Sequence, residues 1–197
     1  MDENGICRIK YLYHGSDVLF GKLDLEHSHQ DKDFGKGVYF TSYPKQAFEW
    51  AKRKGKTKRQ AYVFQYPFVY RVGLKEHQLL RYDKEWLDFV CKNRDGDSSE
   101  SDGYDLIYDR MADGLRTEYP LDEILLKYRM GIITHDKAIE KIKFNGCFDQ
   151  FCFKTMDSFG LLDETNRTVY KYVNVKGNWV GENYTAQAKR EIQDDKK

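Results

Sequence analysis

Two short segments hold the residues best suited to chemistry. Tyr13-His14-Gly15-Ser16 couples a side chain that is a neutral donor or acceptor near pH 7 to a residue without Cβ, which lets a backbone approach a ligand closely. Asp33-Phe34-Gly35-Lys36-Gly37-Val38-Tyr39-Phe40-Thr41 sets two glycines around a lysine ahead of an aromatic run. Such a loop suits a flat or phosphorylated group. It is not a P-loop, because no Gly-Lys-Ser/Thr opens a helix here. Each segment has a plainer alternative: a tight turn carrying a surface histidine, and a glycine-rich turn into a core strand. A third candidate is Gln150 in Phe148-Asp149-Gln150-Phe151-Cys152-Phe153, whose alternative is a polar residue on a half-exposed strand. Strand alternation sends Asp149 to the opposite face from Gln150.

Other clusters point to less. Positions 52–59 hold six Lys or Arg (Lys52, Arg53, Lys54, Lys56, Lys58, Arg59), which suits either a solvated helix end or a surface for polyanions. His27 and His29 with Asp24, Glu26 and Asp31 lack two further spaced ligands, so no metal is expected. The acidic stretch 95–102 lacks the ligand spacing of a calcium hand.

The elements that must position these residues follow from periodicity. Arg8 to Tyr13 alternates as a strand, and 17–37 reads as a loop. After Val38–Thr41, Ser42 is expected to cap a helix with Pro44 in its first turn and Tyr43, Ala47, Trp50 and Ala51 on one stripe. Residues 61–72 predict an aromatic strand, broken or edged at Pro67. Asp83 is expected to cap a helix burying Trp86, Leu87, Val90 and Cys91. Strands are expected at Tyr104–Tyr108, Cys147–Phe153 and Thr168–Val175. Helices are expected from Leu121 to Gly131, and after Thr134 with Ala138, Ile139 and Ile142 inward. One domain over 1–183 with a polar tail at 184–197 is expected. Strands and helices do not alternate strictly, so an α+β fold fits better than a doubly wound sheet.

Composition excludes several classes. The chain has 197 residues, 15% aromatic and 33% charged, with net charge +1. This favours a folded chain over disorder and argues against nucleic-acid binding by bulk charge. Mean hydropathy is −0.80. No apolar run of membrane-spanning length occurs, so no membrane partner is expected. The start, MDENGICRIK, lacks the regions of a signal peptide. Four cysteines without a CxxC pair suit a reducing compartment, so a cytoplasmic protein is expected.

Taken together, HGS, 25 residues from His14 to Tyr39, and FGKGVYFTS leading into a helix resemble the ADP-ribosyltransferase superfamily, in its diphtheria-toxin and poly(ADP-ribose) polymerase branch. That branch carries His–Tyr–Glu on three strands. HGS…DFGKGVYFTSYPKQAFEWA, with YDLIYDRMAD and FDQFCFKT, is similar also to a bacterial family of unassigned function, over about residues 9–162. The resemblance implies a split antiparallel sheet with flanking helices, and NAD as substrate. It implies that His14 bonds the adenosine ribose, that the Gly15 backbone, next to Ser16, clamps the nicotinamide carboxamide, and that Tyr39 stacks on the nicotinamide ring. Trp50 or Tyr43 would cover the other face. Gln150 stands where the branch has glutamate, and can bond the nicotinamide ribose without a full negative charge. On this footing Gln150→Glu is expected to keep or raise nicotinamide release.

The implied activity is mono-ADP-ribosyl transfer from NAD to a macromolecular acceptor, protein or nucleic acid, with the basic 52–59 stretch available to it. NAD hydrolysis, or a non-catalytic module binding NAD or a macromolecule, is the alternative.

Overall fold

The computed structural model describes residues 9–28, 30, 32–94, 103–110, 120–142 and 148–194. The described residues form five α-helices and two four-stranded sheets, mostly antiparallel, an α+β fold. The chain divides into two compact units. One comprises the described residues of Met1–Asp24, Tyr39–Gly73 and Met156–Lys197, the other those of Leu25–Val38 and Leu74–Thr155.

In the first unit, β1 (Tyr11–Ser16), β3 (Gln60–Pro67), β7 (Thr168–Val175) and β8 (Asn178–Asn183) pair antiparallel in the order β1-β3-β7-β8. Proline has no N–H to offer the ladder, and β3 stops at Pro67. The last two strands join through Lys176 and Gly177, with φ of 52° and 92°. Positive φ at both central positions matches the twist of a two-residue hairpin. Helix α1 (Pro44–Lys54) follows Tyr39-Phe40. Tyr43, not Ser42 as expected, is its N-cap residue, and no side chain caps it. The Tyr43 N–H instead goes to Thr41 Oγ1 at 3.1 Å, while the Tyr43 carbonyl starts the helix. Ala47 and Ala51 form the buried stripe, and the larger Tyr43 and Trp50 are each 37% exposed. A Cβ at Gly15 would overlap the Ala47 carbonyl oxygen, so the missing side chain lets α1 press against β1. Beyond position 184, the chain forms α5 (Thr185–Asp194) with Ala188 buried. Thr185 Oγ1 anchors it by accepting the Val169 N–H at 2.9 Å.

In the second unit, β4 (Glu76–Leu79) pairs parallel with β5 (Leu106–Arg110), which pairs antiparallel with β6 (Asp149–Phe153). The short β2 (Val38–Phe40) begins on the far side of β6 and runs into the first unit's sequence. Asp83 caps α2 (Lys84–Arg94), its Oδ1 accepting the Trp86 N–H at 3.1 Å. As expected, Trp86, Leu87, Val90 and Cys91 are the buried face. Helix α3 (Leu121–Arg129) gives way to Gly131 at φ 68°, and Thr134 Oγ1 accepts the Lys137 N–H at the start of α4 (His135–Ile142).

Candidate functional site

His14 lies on β1, opposite Phe64 of β3. Its ring sits among Phe20, Phe40 and Phe64, with centroids 5.7, 5.5 and 6.4 Å away. Phe20 and Phe64 stack at 4.0 Å, and the Arg167 guanidinium lies over both. His14 Nδ1 is 2.8 Å from the Tyr39 carbonyl oxygen. A carbonyl only accepts, so Nδ1 carries the proton and Nε2 is left as an acceptor. Desolvation lowers the His14 pKa to about 4, and the nearby Lys54 charge pushes it the same way, against the bond to Tyr39. The imidazole is therefore neutral at pH 7.

This bond changes the edge of β1. Tyr13 exchanges both backbone bonds with Thr41, at 2.8 and 3.0 Å, on the side away from β3. Strand alternation turns the Gly15 N–H and C=O to that same side. There the pairing stops at the Tyr13–Thr41 bridge, because the Tyr39 carbonyl has turned to the histidine. Among the described residues no hydrogen bond takes up the Gly15 N–H or C=O on this edge. A donor and an acceptor thus stand side by side next to half-buried Tyr39, which is the pattern a carboxamide can bridge. Ser16 Oγ is spent locally, accepting the Val18 N–H at 3.1 Å.

Trp50 stands on α1 with Arg53 and Lys54 over its ring, 5.0 and 5.5 Å from the centroid. Several charges of the basic stretch are already engaged. Lys52 pairs with Glu49 at 2.5 Å, Lys58 with Asp17 at 2.7 Å, and Arg59 donates to the Asn174 carbonyl. The Lys58 bond, ahead of opposing burial, lowers the Asp17 pKa.

Gln150 belongs to the second unit, whereas His14, Gly15, Ser16, Tyr39, Tyr43 and Trp50 share the first. Every residue of β6 is buried, so the half-exposed strand is not what forms. Gln150 Nε2 donates to Asp33 Oδ2 at 3.2 Å and, more weakly, to Asp109 Oδ2 at 3.4 Å. Asp109 is its cross-strand partner on β5. Asp109 also accepts the Trp86 indole N–H at 3.0 Å, and Asp33 Oδ1 accepts Arg94 Nε at 2.7 Å. Arg94 also binds Asp122. A carboxylate in place of the Gln150 amide would face two others. The two glycines around Lys36 have structural duties: Gly35 takes φ 70°, and a Cβ on Gly37 would overlap Cys152 Sγ and come 2.9 Å from the Phe153 carbonyl oxygen.

Sequence reasoning missed Asp33, Asp109, Trp86 and Arg94. Asp33 and Asp109 stand inside the quoted DFGKG and YDLIYDR segments, but Asp109 reaches Gln150 through the register of β5 against β6 and Asp33 through the loop ahead of β2, neither of which spacing reveals. His29 and Asp31 lie outside the described residues, as do Cys7 and Cys147; among those described, no group of three His, Cys, Asp or Glu is placed to hold a metal. Also among them, no helix is long and apolar enough to cross a membrane.

The α+β class is thus defined, and the family follows. Residues 10–163 match the family described as "Protein of unknown function (DUF3990)", and the chain belongs to it. No curated protein and no solved structure matches the chain.

Proposed function

We propose that the protein binds NAD and transfers its ADP-ribose to an acceptor, releasing nicotinamide. The observation that carries this reading is β1 beyond the Tyr13–Thr41 bridge, where the N–H and C=O of buried Gly15 take no hydrogen bond among the described residues and adjoin a neutral His14 that is itself bonded to the Tyr39 carbonyl. A primary carboxamide accepts from that N–H and donates to that C=O. Tyr39 and one of Tyr43 or Trp50 supply aromatic faces for a cationic pyridinium. His14 Nε2, kept unprotonated by burial, accepts a ribose hydroxyl. In the reaction the bond from nicotinamide N1 to ribose C1′ breaks, and its electron pair leaves with nicotinamide, which becomes neutral. The acceptor's nucleophilic atom bonds C1′ and loses a proton. The resemblance assigns Gln150 to this step, as the residue that stands where the branch has glutamate. With a neutral amide there, a single transfer is favoured over chain growth.

Isothermal titration with NAD tests the binding. His14→Ala and Tyr39→Ala are each expected to weaken it while the fold persists, and unchanged affinity in both refutes the reading. Incubating labelled NAD with and without cell lysate tests the reaction. Label on macromolecules supports transfer, and free ADP-ribose without lysate supports hydrolysis. The neutral amide at position 150 favours one further reading, a module that binds NAD without cleaving it; binding with no nicotinamide release is its signature.

A further inference from the structure

The second unit contains a polar network with a direction built into it. Gln150 is only 8% exposed, and Asp109 not at all. Carboxylates accept and do not donate, so both contacts from Gln150 Nε2 fix its NH₂ toward Asp33 and Asp109. The planar amide then turns Oε1 away from them, and among the described residues no group donates to that oxygen. Flipping the amide would set Oε1 against two carboxylates. The carboxylates are themselves held, Asp33 by Arg94 and Asp109 by the fully buried Trp86. Donating toward negative charge polarises an amide and strengthens its oxygen as an acceptor.

We propose that Asp33 and Asp109 are positioning residues that orient the Gln150 amide, making position 150 a polarised but neutral acceptor that a carboxylate cannot replace. The role in catalysis rests on the transferase reading above, in which the resemblance gives Gln150 the place of the branch's glutamate.

Two measurements test this. The first needs no NAD. A carboxyl introduced by Gln150→Glu would have its folded pKa raised above the unfolded value by its two neighbours. Its stability contribution is then complete at low pH and lost as pH rises through the folded pKa. Gln150→Glu is expected to melt about 5 °C or more below wild type at pH 8 and to approach it at pH 5. Exchanging the two groups, in Gln150→Glu with Asp109→Asn, is expected to restore much of the loss at pH 8. A Gln150→Glu melting curve that tracks wild type from pH 5 to 8 overturns the proposal.

The second measurement is single-turnover nicotinamide release. Asp109→Asn keeps the side-chain shape but lets the amide turn. It is expected to bind NAD within about twofold of wild type and to release nicotinamide about tenfold or more slowly, the scale of losing an outer partner that orients a functional group. Release at the wild-type rate overturns the positioning role while leaving the transferase reading intact. A wild-type protein that binds NAD but releases no nicotinamide refutes the transferase reading itself, and the role in catalysis with it.

Discussion

Acidification probes His14 directly. The ring enters the fold neutral, because its aromatic surroundings replace water and Lys54 lies nearby. Unfolded, a histidine takes up its proton near pH 6.5; folded, His14 does so near 4. Between those values the unfolded chain binds more protons, so stability falls as pH falls. The contribution is complete above about pH 6.5 and lost by about pH 4. A shift of this size corresponds to about 3 kcal/mol. Asp17 and Asp163 also favour the folded state through lowered pKa values, but from about pH 4 downward, below most of this window. Urea unfolding at intervals from pH 7.5 to 4.5 measures the slope. His14→Phe keeps an aromatic ring among Phe20, Phe40 and Phe64 but cannot titrate. It loses the bond to the Tyr39 carbonyl at every pH, so its curve lies lower and flatter. Parallel curves for the two proteins would refute the reasoning. So would a His14 ring whose NMR shifts titrate near pH 6.5.

Gly15→Ala is expected to cost about 1–3 kcal/mol in urea unfolding, because its Cβ would overlap the Ala47 carbonyl and backbone must move; a neutral result would mean that α1 is not seated on β1. Arg53 and Lys54 over Trp50 oppose a second cation on that ring. Tyr43→Ala is therefore expected to weaken NAD binding about fivefold, and more than Trp50→Ala does; the reverse order in titration assigns the pyridinium to Trp50. If a polyanionic acceptor docks on the basic stretch, replacing Arg53 and Lys56 by Gln should flatten the salt dependence of acceptor labelling more than replacing Lys52 and Lys58, whose charges are already paired with Glu49 and Asp17. Equal slopes in the two double variants count against that docking surface.

Local chemistry made much of the fold legible. Asp83 and Thr134 start helices, Gly131 ends one and Pro67 ends a strand, each through a backbone requirement that one residue announces. The Ala47 and Ala51 stripe was readable from period alone. Elements without such marks were not. The strand Glu76–Leu79 is short and carries Glu76, His77 and Gln78, so no alternation betrays it. The strand expected at Tyr104–Tyr108 begins two residues later, at Leu106. In the first unit, His14 and Tyr39 were found by type and spacing and do meet, though through the tyrosine's carbonyl. Around Gln150 the sequence showed an amide but not its neighbours. Asp33 is 117 positions away and Asp109 is 41; the register of β5 against β6 makes Asp109 a partner, and Asp33 arrives from the loop ahead of β2.

The pairing of β3 with β7 also governs the order in which this chain can fold. Gln65 and Tyr170, bonded across those strands, are 105 positions apart. During synthesis β1 and β3 emerge early and can zip together, leaving the other edge of β3 with unpaired backbone groups. That edge stays bare until β7 has been made, and by then both segments of the second unit have been translated, Leu25–Val38 before β3 and Leu74–Thr155 after it. The second unit can therefore condense while the first still waits for its central ladder. Such non-local pairing makes for slow folding, and a waiting strand edge invites association with other nascent chains. A chain cut short before Thr168 and released from the ribosome would have one unit's segments in full and the other open at β3.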